Sequence, residues 1–225
     1  GIGGILWLRT RESAPTAETP APAAAPIINK QPAVVSTRRF DPAAPPRDMP
    51  PLHAGEQAQC DSNFMSGAIV SGQPRRTGAN QATLTITQIR IALQLAITIW
   101  VPDGVTQKVL EHEEGHRQIS ESYYQDADKL AERIAATYMG KQLTVTGDNL
   151  EAEGNKMLQQ VGADITAEYN KQLNPDAAQL RYDAITDHAR NDILVKDAVA
   201  QVLKQPPPDH LVDFLARVLQ HLRHR

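Results

Sequence analysis

Three side chains stand at a spacing that specifies chemistry: His112, Glu113 and His116, within the run LEHEEGHRQISESYY. On an α-helix, residues four apart lie on one face, so both imidazoles can turn toward the same cation. Glu113, beside the first of them, reaches water at the cation rather than the cation itself. Zinc lowers the pKa of its bound water towards neutrality, and the carboxylate takes the proton as that water attacks a carbonyl. HExxH thus carries two metal ligands and a general base. The same spacing also arises by chance on polar helix faces. The surroundings weigh against chance here, because the motif follows a strongly alternating strand and lies on the apolar stripe of a helix. Imidazoles on an apolar face need a partner, since burying unpaired polar groups is costly, and a metal supplies one. Gly115 suits a close approach by a neighbouring element.

A catalytic zinc usually takes three protein ligands and keeps a further position for water. The continuation of HExxH through xxGxxH is absent, because Ile119 and Ser122 occupy its deciding positions. The only cysteine is Cys60, so neither an intrachain disulfide nor a thiolate-built zinc site exists. The remaining ligand must be His, Asp or Glu. Glu132, Glu151, Glu153 and Glu168 are all open as contributions from a neighbouring helix, and so is His188; spacing does not choose among them. His53 falls near the stalk-like start, and His210, His221 and His224 read as solvated residues of a last helix.

The elements that must position these groups follow from periodicity. The stretch Thr83 to Val101 alternates through Ile89, Ile91, Leu93, Leu95, Ile97, Ile99 and Val101, the pattern of a strand with one buried face. Leu84 and Ile86 have the opposite parity, so a bulge near Thr87 and Gln88 must re-phase it. Pro102 ends it. A shorter strand is expected at Ala68 to Val70, followed by a turn-rich basic connection from Pro74 to Asn80. The period then becomes helical: Val109, His112, His116, Ile119, Tyr123, Ala127, Leu130 and Ile134 predict one helix from about Thr106 to Met139, stopped by Gly140. Asp148 and Glu151 read as a capping box for a second helix, and Asn174-Pro175 opens a third that runs past His188 to about Lys204. Pro206 to Pro208 stop it, and Asp209 caps a final amphipathic helix.

Three segments emerge. Residues 1–51 read as an apolar start followed by a Pro/Ala-rich spacer, with one short strand at Ala33 to Phe40; 52–204 as the folded domain; 205–225 as the amphipathic helix. The eight residues Gly1 to Leu8 are too few to span a bilayer, which takes about 20, but they suit the trailing end of a membrane anchor. With 225 residues, 41% hydrophobic and 22% charged, the chain has room for a core. A net charge of -3 gives no electrostatic footprint for nucleic acid. The expected class is α+β: a small, mostly antiparallel sheet packed on a helical half carrying the HExxH helix, zincin-like, with the strand ending at Val101 as an edge for peptide addition.

The run HEEGHRQISESYY, taken with Tyr182-Asp183-Ala184-Ile185-Thr186-Asp187-His188, resembles a bacterial family of unknown function whose members are regarded as zinc-dependent, HExxH-type secreted proteases. The similarity covers roughly residues 60–191, and the paired motifs are more specific than HExxH alone. It implies His112, His116 and His188 as zinc ligands and Glu113 as the base. It also implies that Tyr182, Asp183 and Thr186 polarise a carbonyl or support the ligands. One departure is Ala189, where the family often has Gly. The expectation is a zinc metallopeptidase of the bacterial periplasm or cell envelope, anchored by its N-terminal segment and acting on a peptide or protein. The alternatives are an envelope-tethered scaffold with a structural or vestigial metal, and a metal-dependent amidase on a non-peptide amide.

Overall fold

The computed structural model describes residues 25–52 and 55–204. Its elements are β1 Ile27–Lys30, β2 Val34–Phe40, β3 Gln59–Gly78, β4 Gln81–Pro102, α1 Gln107–Gln125, α2 Ala127–Ala136, β5 Gln142–Thr146, α3 Leu150–Gln172, α4 Asp176–Thr186 and α5 Val195–Lys204. The class is α+β. Among these elements, no helix is long and apolar enough to cross a membrane.

β4 organises the sheet because it pairs with each of the other four strands. Its two buried phases are as the alternation requires: Ala82, Leu84 and Ile86 are buried, then Ile89, Ile91, Leu93, Leu95, Ile97 and Ile99. Thr87 and Gln88 between them are not buried, so the side-chain parity flips there within one continuous strand. Removing each Ile or Leu from water contributes about 1.5–3 kcal/mol, which holds both phases in place.

The sheet is mixed, with β1 and β2 pairing with β4 in parallel where a mostly antiparallel sheet is expected. β1 runs parallel to Arg90–Leu93 of β4, and β2 runs parallel to the stretch Ala96–Pro102. β5 is antiparallel to Gln81–Thr85, and β3 joins β4 through a two-residue turn. A central strand also has no open edge where it is paired, so the stretch ending at Val101 is not the edge expected for peptide addition. β2 covers it.

Residues 27–40 do not belong to a spacer. Ile28 and Val35 lie opposite Ile91 and Ile97 in the parallel ladders, and the Pro-rich composition on either side hides these short apolar runs. β3 is likewise far longer than the three residues expected and runs through the supposed basic connection. Val70 is its one buried side chain, so its sequence lacks the long apolar alternation that marks β4.

The described chain divides into two compact units. One comprises residues 25–31, 65–94 and 126–173, with β1, most of β3, the first part of β4, α2, β5 and α3. In it, Gly162 of α3 lies so close to β3 that an added Cβ would sit 2.8 Å from the Ala68 carbonyl oxygen. α3 is capped by Asn149, whose side chain accepts from the Ala152 N–H at 3.0 Å, rather than by Asp148. β5, the run QLTVT, has no counterpart in the periodicity reading, although Val145 is buried and its neighbours alternate.

The other unit comprises residues 32–52, 55–64, 95–125 and 174–204, with β2, the start of β3, the end of β4, α1, α4 and α5. Its core joins three helices: Ile119 of α1, Ala178 and Tyr182 of α4, and Ala198, Val199 and Val202 of α5. The single helix expected over 106–139 is two, because Asp126 leaves the helical region at φ -104°, ψ 19°. The third expected helix is also two. It ends at Thr186, and Asp187, His188 and Ala189 all take left-handed φ values of 48°, 49° and 66°. The apolar start, 1–24, and the last helix, 205–225, lie outside the described residues.

Candidate metal centre

Every residue of the site belongs to the second unit. α1 presents His112 and His116 one turn apart on its inward face, where His112 is only 5% exposed. α4 lies against this face because Gly115 leaves room for it. The Tyr182 phenol occupies the space a side chain would fill and donates a 3.1 Å hydrogen bond to the His112 carbonyl. Its ring stacks on His112 at 5.0 Å and meets His116 edge-on at 4.8 Å.

With the helices so docked, Asp183 faces both imidazoles. Its Oδ1 lies 2.9 Å from His116 Nε2 and 3.3 Å from His112 Nε2, and the two Nε2 atoms are 3.2 Å apart. Ligand atoms about 2.0–2.1 Å from a tetrahedral zinc lie roughly 3.3–3.4 Å from one another, so the triangle has nearly the edge lengths of such a shell. Asp183 Oδ1 is sheltered from solvent yet makes no well-directed hydrogen bond. A buried carboxylate oxygen without a directed bond, facing two imidazole nitrogens, is an arrangement a cation would satisfy.

The ring of His116 is oriented from behind. Its Nδ1 lies 2.7 Å from Gln179 Oε1, and the Gln179 amide donates to the His116 carbonyl and to Ser120 Oγ, at 3.2 and 2.9 Å. Ser120 Oγ is in turn 2.8 Å from Ser62 Oγ on β3. With its amide nitrogen committed to two acceptors, Gln179 offers oxygen to the ring. That arrangement lets His116 donate from Nδ1 and present Nε2 to the triangle. Partners of this kind fix the tautomer and orientation of metal-binding histidines. Replacing Gln179 by Ala should weaken uptake of a divalent metal at the triangle by about 10–100-fold in competition with a chelator; unchanged affinity would mean that the ring is held by something else. Gln179 escaped the sequence reading, although it stands one helical turn before Asp183 on the same face.

Electrostatics match the geometry. Burial works against the Asp183 carboxylate, but the two imidazoles hold it below the usual range. Burial, the largest influence, likewise opposes a charge on His116, but Asp183, Glu113 and Gln179 together raise the imidazole above its usual value. Glu113, 4% exposed, is pushed up to about 7, chiefly by burial. His116 and the Cys60 backbone N–H pull it down, while Glu56 and Asp183 push it up. Cys60 is raised to about 12, by burial first and by Glu113 second, so its thiol stays protonated and unreactive.

Among the described residues, two groups of donors converge: His112, His116 and Asp183, and next to them Glu56, Asp183 and His188. His188 is therefore not the third member of the tight triangle. Its Nδ1 stands 3.7 Å from Asp183 Oδ1, because the left-handed turn after α4 carries it outward and the carboxylate one helical turn earlier takes the place beside the two imidazoles. Tyr182 is not placed for catalysis either. It is fully buried with its hydroxyl committed to a helix carbonyl, so it docks α4 on α1. Thr186 caps its own helix by donating to the Tyr182 carbonyl at 2.7 Å. Glu132, Glu151, Glu153 and Glu168 belong to the other unit and enter neither group. His53, His210, His221 and His224 lie outside the described residues.

A cavity of about 220 Å³ opens beside the triangle and is lined by His112, Glu113, Glu56 and His188, among others. Comparison with known protein families, curated proteins and solved structures found no match to this chain.

Proposed function

We propose that this chain is a zinc-dependent metallopeptidase that hydrolyses peptide bonds, with His112, His116 and Asp183 holding the metal and Glu113 as the base. The observation that carries this reading is the triangle of His112 Nε2, His116 Nε2 and Asp183 Oδ1, with edges of 2.9–3.3 Å. Two imidazoles and a carboxylate are a donor set suited to zinc. Zinc supplies Lewis acidity to a carbonyl oxygen and makes water acidic enough to attack near neutral pH.

The chain's own residues do the rest. Glu113 lines the cavity next to His112 and is held by the Cys60 N–H. Its carboxylate takes a proton from the attacking water as the new C–O bond forms, then returns that proton to the amide nitrogen as the C–N bond breaks. Gln179 keeps the His116 ring from turning, and Tyr182 keeps α4 at the distance Asp183 needs. An open cavity beside the donors favours a catalytic centre over a closed structural one. The zincin-like arrangement, the resemblance to secreted bacterial proteases, a peptide or protein substrate, and an envelope location with an N-terminal tether all belong to this same reading.

The test is zinc binding coupled to cleavage. Purified chain should hold one tightly bound zinc and cleave an unstructured protein such as casein, with loss of cleavage on chelation and recovery on adding zinc back. Replacing Asp183 by Ala should weaken the tight zinc by more than the roughly 10–100-fold that losing an orienting partner costs. A chain that takes up no zinc at neutral pH would end this reading, and tight zinc with no hydrolysis would favour a scaffold.

A further inference from the structure

A second group of donors shares one member with the first. His188 Nδ1 lies 3.8 Å from a Glu56 carboxylate oxygen and 3.7 Å from Asp183 Oδ1, and the three ligand atoms all fall within 4.8 Å of one another. We propose that Glu56, Asp183 and His188 form a second divalent transition-metal site, which shares Asp183 with the zinc triangle and makes the centre dinuclear.

Three independent observations support it. His188 Nδ1 is sheltered from solvent and has no hydrogen-bond partner, a costly state for a polar atom without a ligand. The backbone that delivers it is strained: Asp187, His188 and Ala189 are all left-handed, a conformation costing roughly 1–2 kcal/mol per residue outside glycine, and such strain gathers at functional sites. The turn is held by backbone bonds from His188 N to Asp183 O and from Arg190 N to Asp187 O, at 3.4 and 3.0 Å. Arg190 Nη2 also donates to the Gly55 carbonyl at 3.4 Å, on the segment that carries Glu56. Finally, the cavity reaches Glu56 and His188 as well as His112 and Glu113, so the second site opens onto the same space as the first.

One imidazole and two carboxylates suit zinc and its first-row neighbours. A carboxylate has lone pairs enough to serve two cations, and hydrolytic enzymes use paired ions to hold both attacking and leaving oxygens. The second group is wider than the first triangle, so its ion should bind more weakly and exchange faster. The proposal rests on the zinc triangle and adds a second ion to it.

The experiment is zinc titration of the metal-free chain against a chromophoric chelator, with elemental analysis at saturation. The wild-type chain should take up two equivalents, one tight and one weaker. His188→Ala and Glu56→Gln should each take up one, with the tight affinity changed by less than about tenfold. The two substitutions lie on separate segments, so a folding defect in one leaves the other to decide. Saturation at one equivalent overturns the second site and leaves the first standing. A second equivalent that survives both substitutions is adventitious and also overturns it. Loss of the tight equivalent in His188→Ala would make His188 a ligand of the first ion, against the proposal. No uptake at all removes both sites.

Discussion

Glu113→Gln should lower peptide turnover by about two to four orders of magnitude, the usual contribution of general acid–base catalysis, while zinc content stays at the wild-type level. The side chain keeps its size and can still accept from the Cys60 N–H, so neither the cavity nor the triangle should change. Stability gives an independent check with a defined sign. Burial raises the Glu113 pKa in the folded chain to about 7, above the roughly 4.3 expected when unfolded. The folded state therefore binds a proton more tightly, and the wild-type chain loses stability as pH rises through that window. Glutamine stays neutral throughout. The metal-free variant should thus melt no lower than wild type at pH 6 and higher at pH 8. Full retained activity would remove Glu113 from the mechanism, whereas loss of zinc would show that it is a ligand.

Gly115→Ala should have the largest effect on folding. An added Cβ would sit 2.0 Å from Tyr182 Oη and 2.4 Å from Cζ. Neither atom can withdraw, because the ring is fully buried between both imidazoles and its hydroxyl is bonded to His112 O. Alanine improves helix propensity by about 1 kcal/mol, but forcing α1 and α4 apart should cost more, about 3 kcal/mol or above. The same displacement carries Asp183 away from the histidines, so zinc affinity should collapse with the melting temperature. Adding Tyr182→Leu removes the clashing atoms and should restore part of both losses, a coupling that a double-mutant cycle measures. If Gly115→Ala melts and binds zinc like wild type, α4 is not seated on this glycine.

What the sequence determined by itself is local. A spacing of four on a helix places His112 and His116 on one face however the chain continues, and Glu113 follows from the same turn. The parity flip in β4 is equally local, because alternation counts residues along one strand: Ile86 and Ile89 are both buried and cannot share a phase. The role of Gly115 was legible as a close approach, though not what approaches it.

The tertiary structure decided the rest, for two physical reasons. Donors about 70 positions apart meet only when helices dock, and the seat of Tyr182 on Gly115 is among the buried contacts that dock α4 on α1. That contact sets α4 so that Asp183, rather than His188 or a more distant glutamate, closes the triangle, and so that Gln179 stands behind His116. A pattern pointing to Tyr182 as a chemical group could not reveal that its hydroxyl is committed to a helix carbonyl. The second reason is that backbone breaks leave weak marks in composition. Nothing in Asp126, or in the run Asp187 to Ala189, forbids a helix as strongly as proline does. Yet those breaks separate α1 from α2 and turn His188 away from the face that Asp183 keeps. Weakly patterned strands suffer the same way: β1 and β3 owe their existence to β4, which supplies the hydrogen bonds their own side chains do not announce.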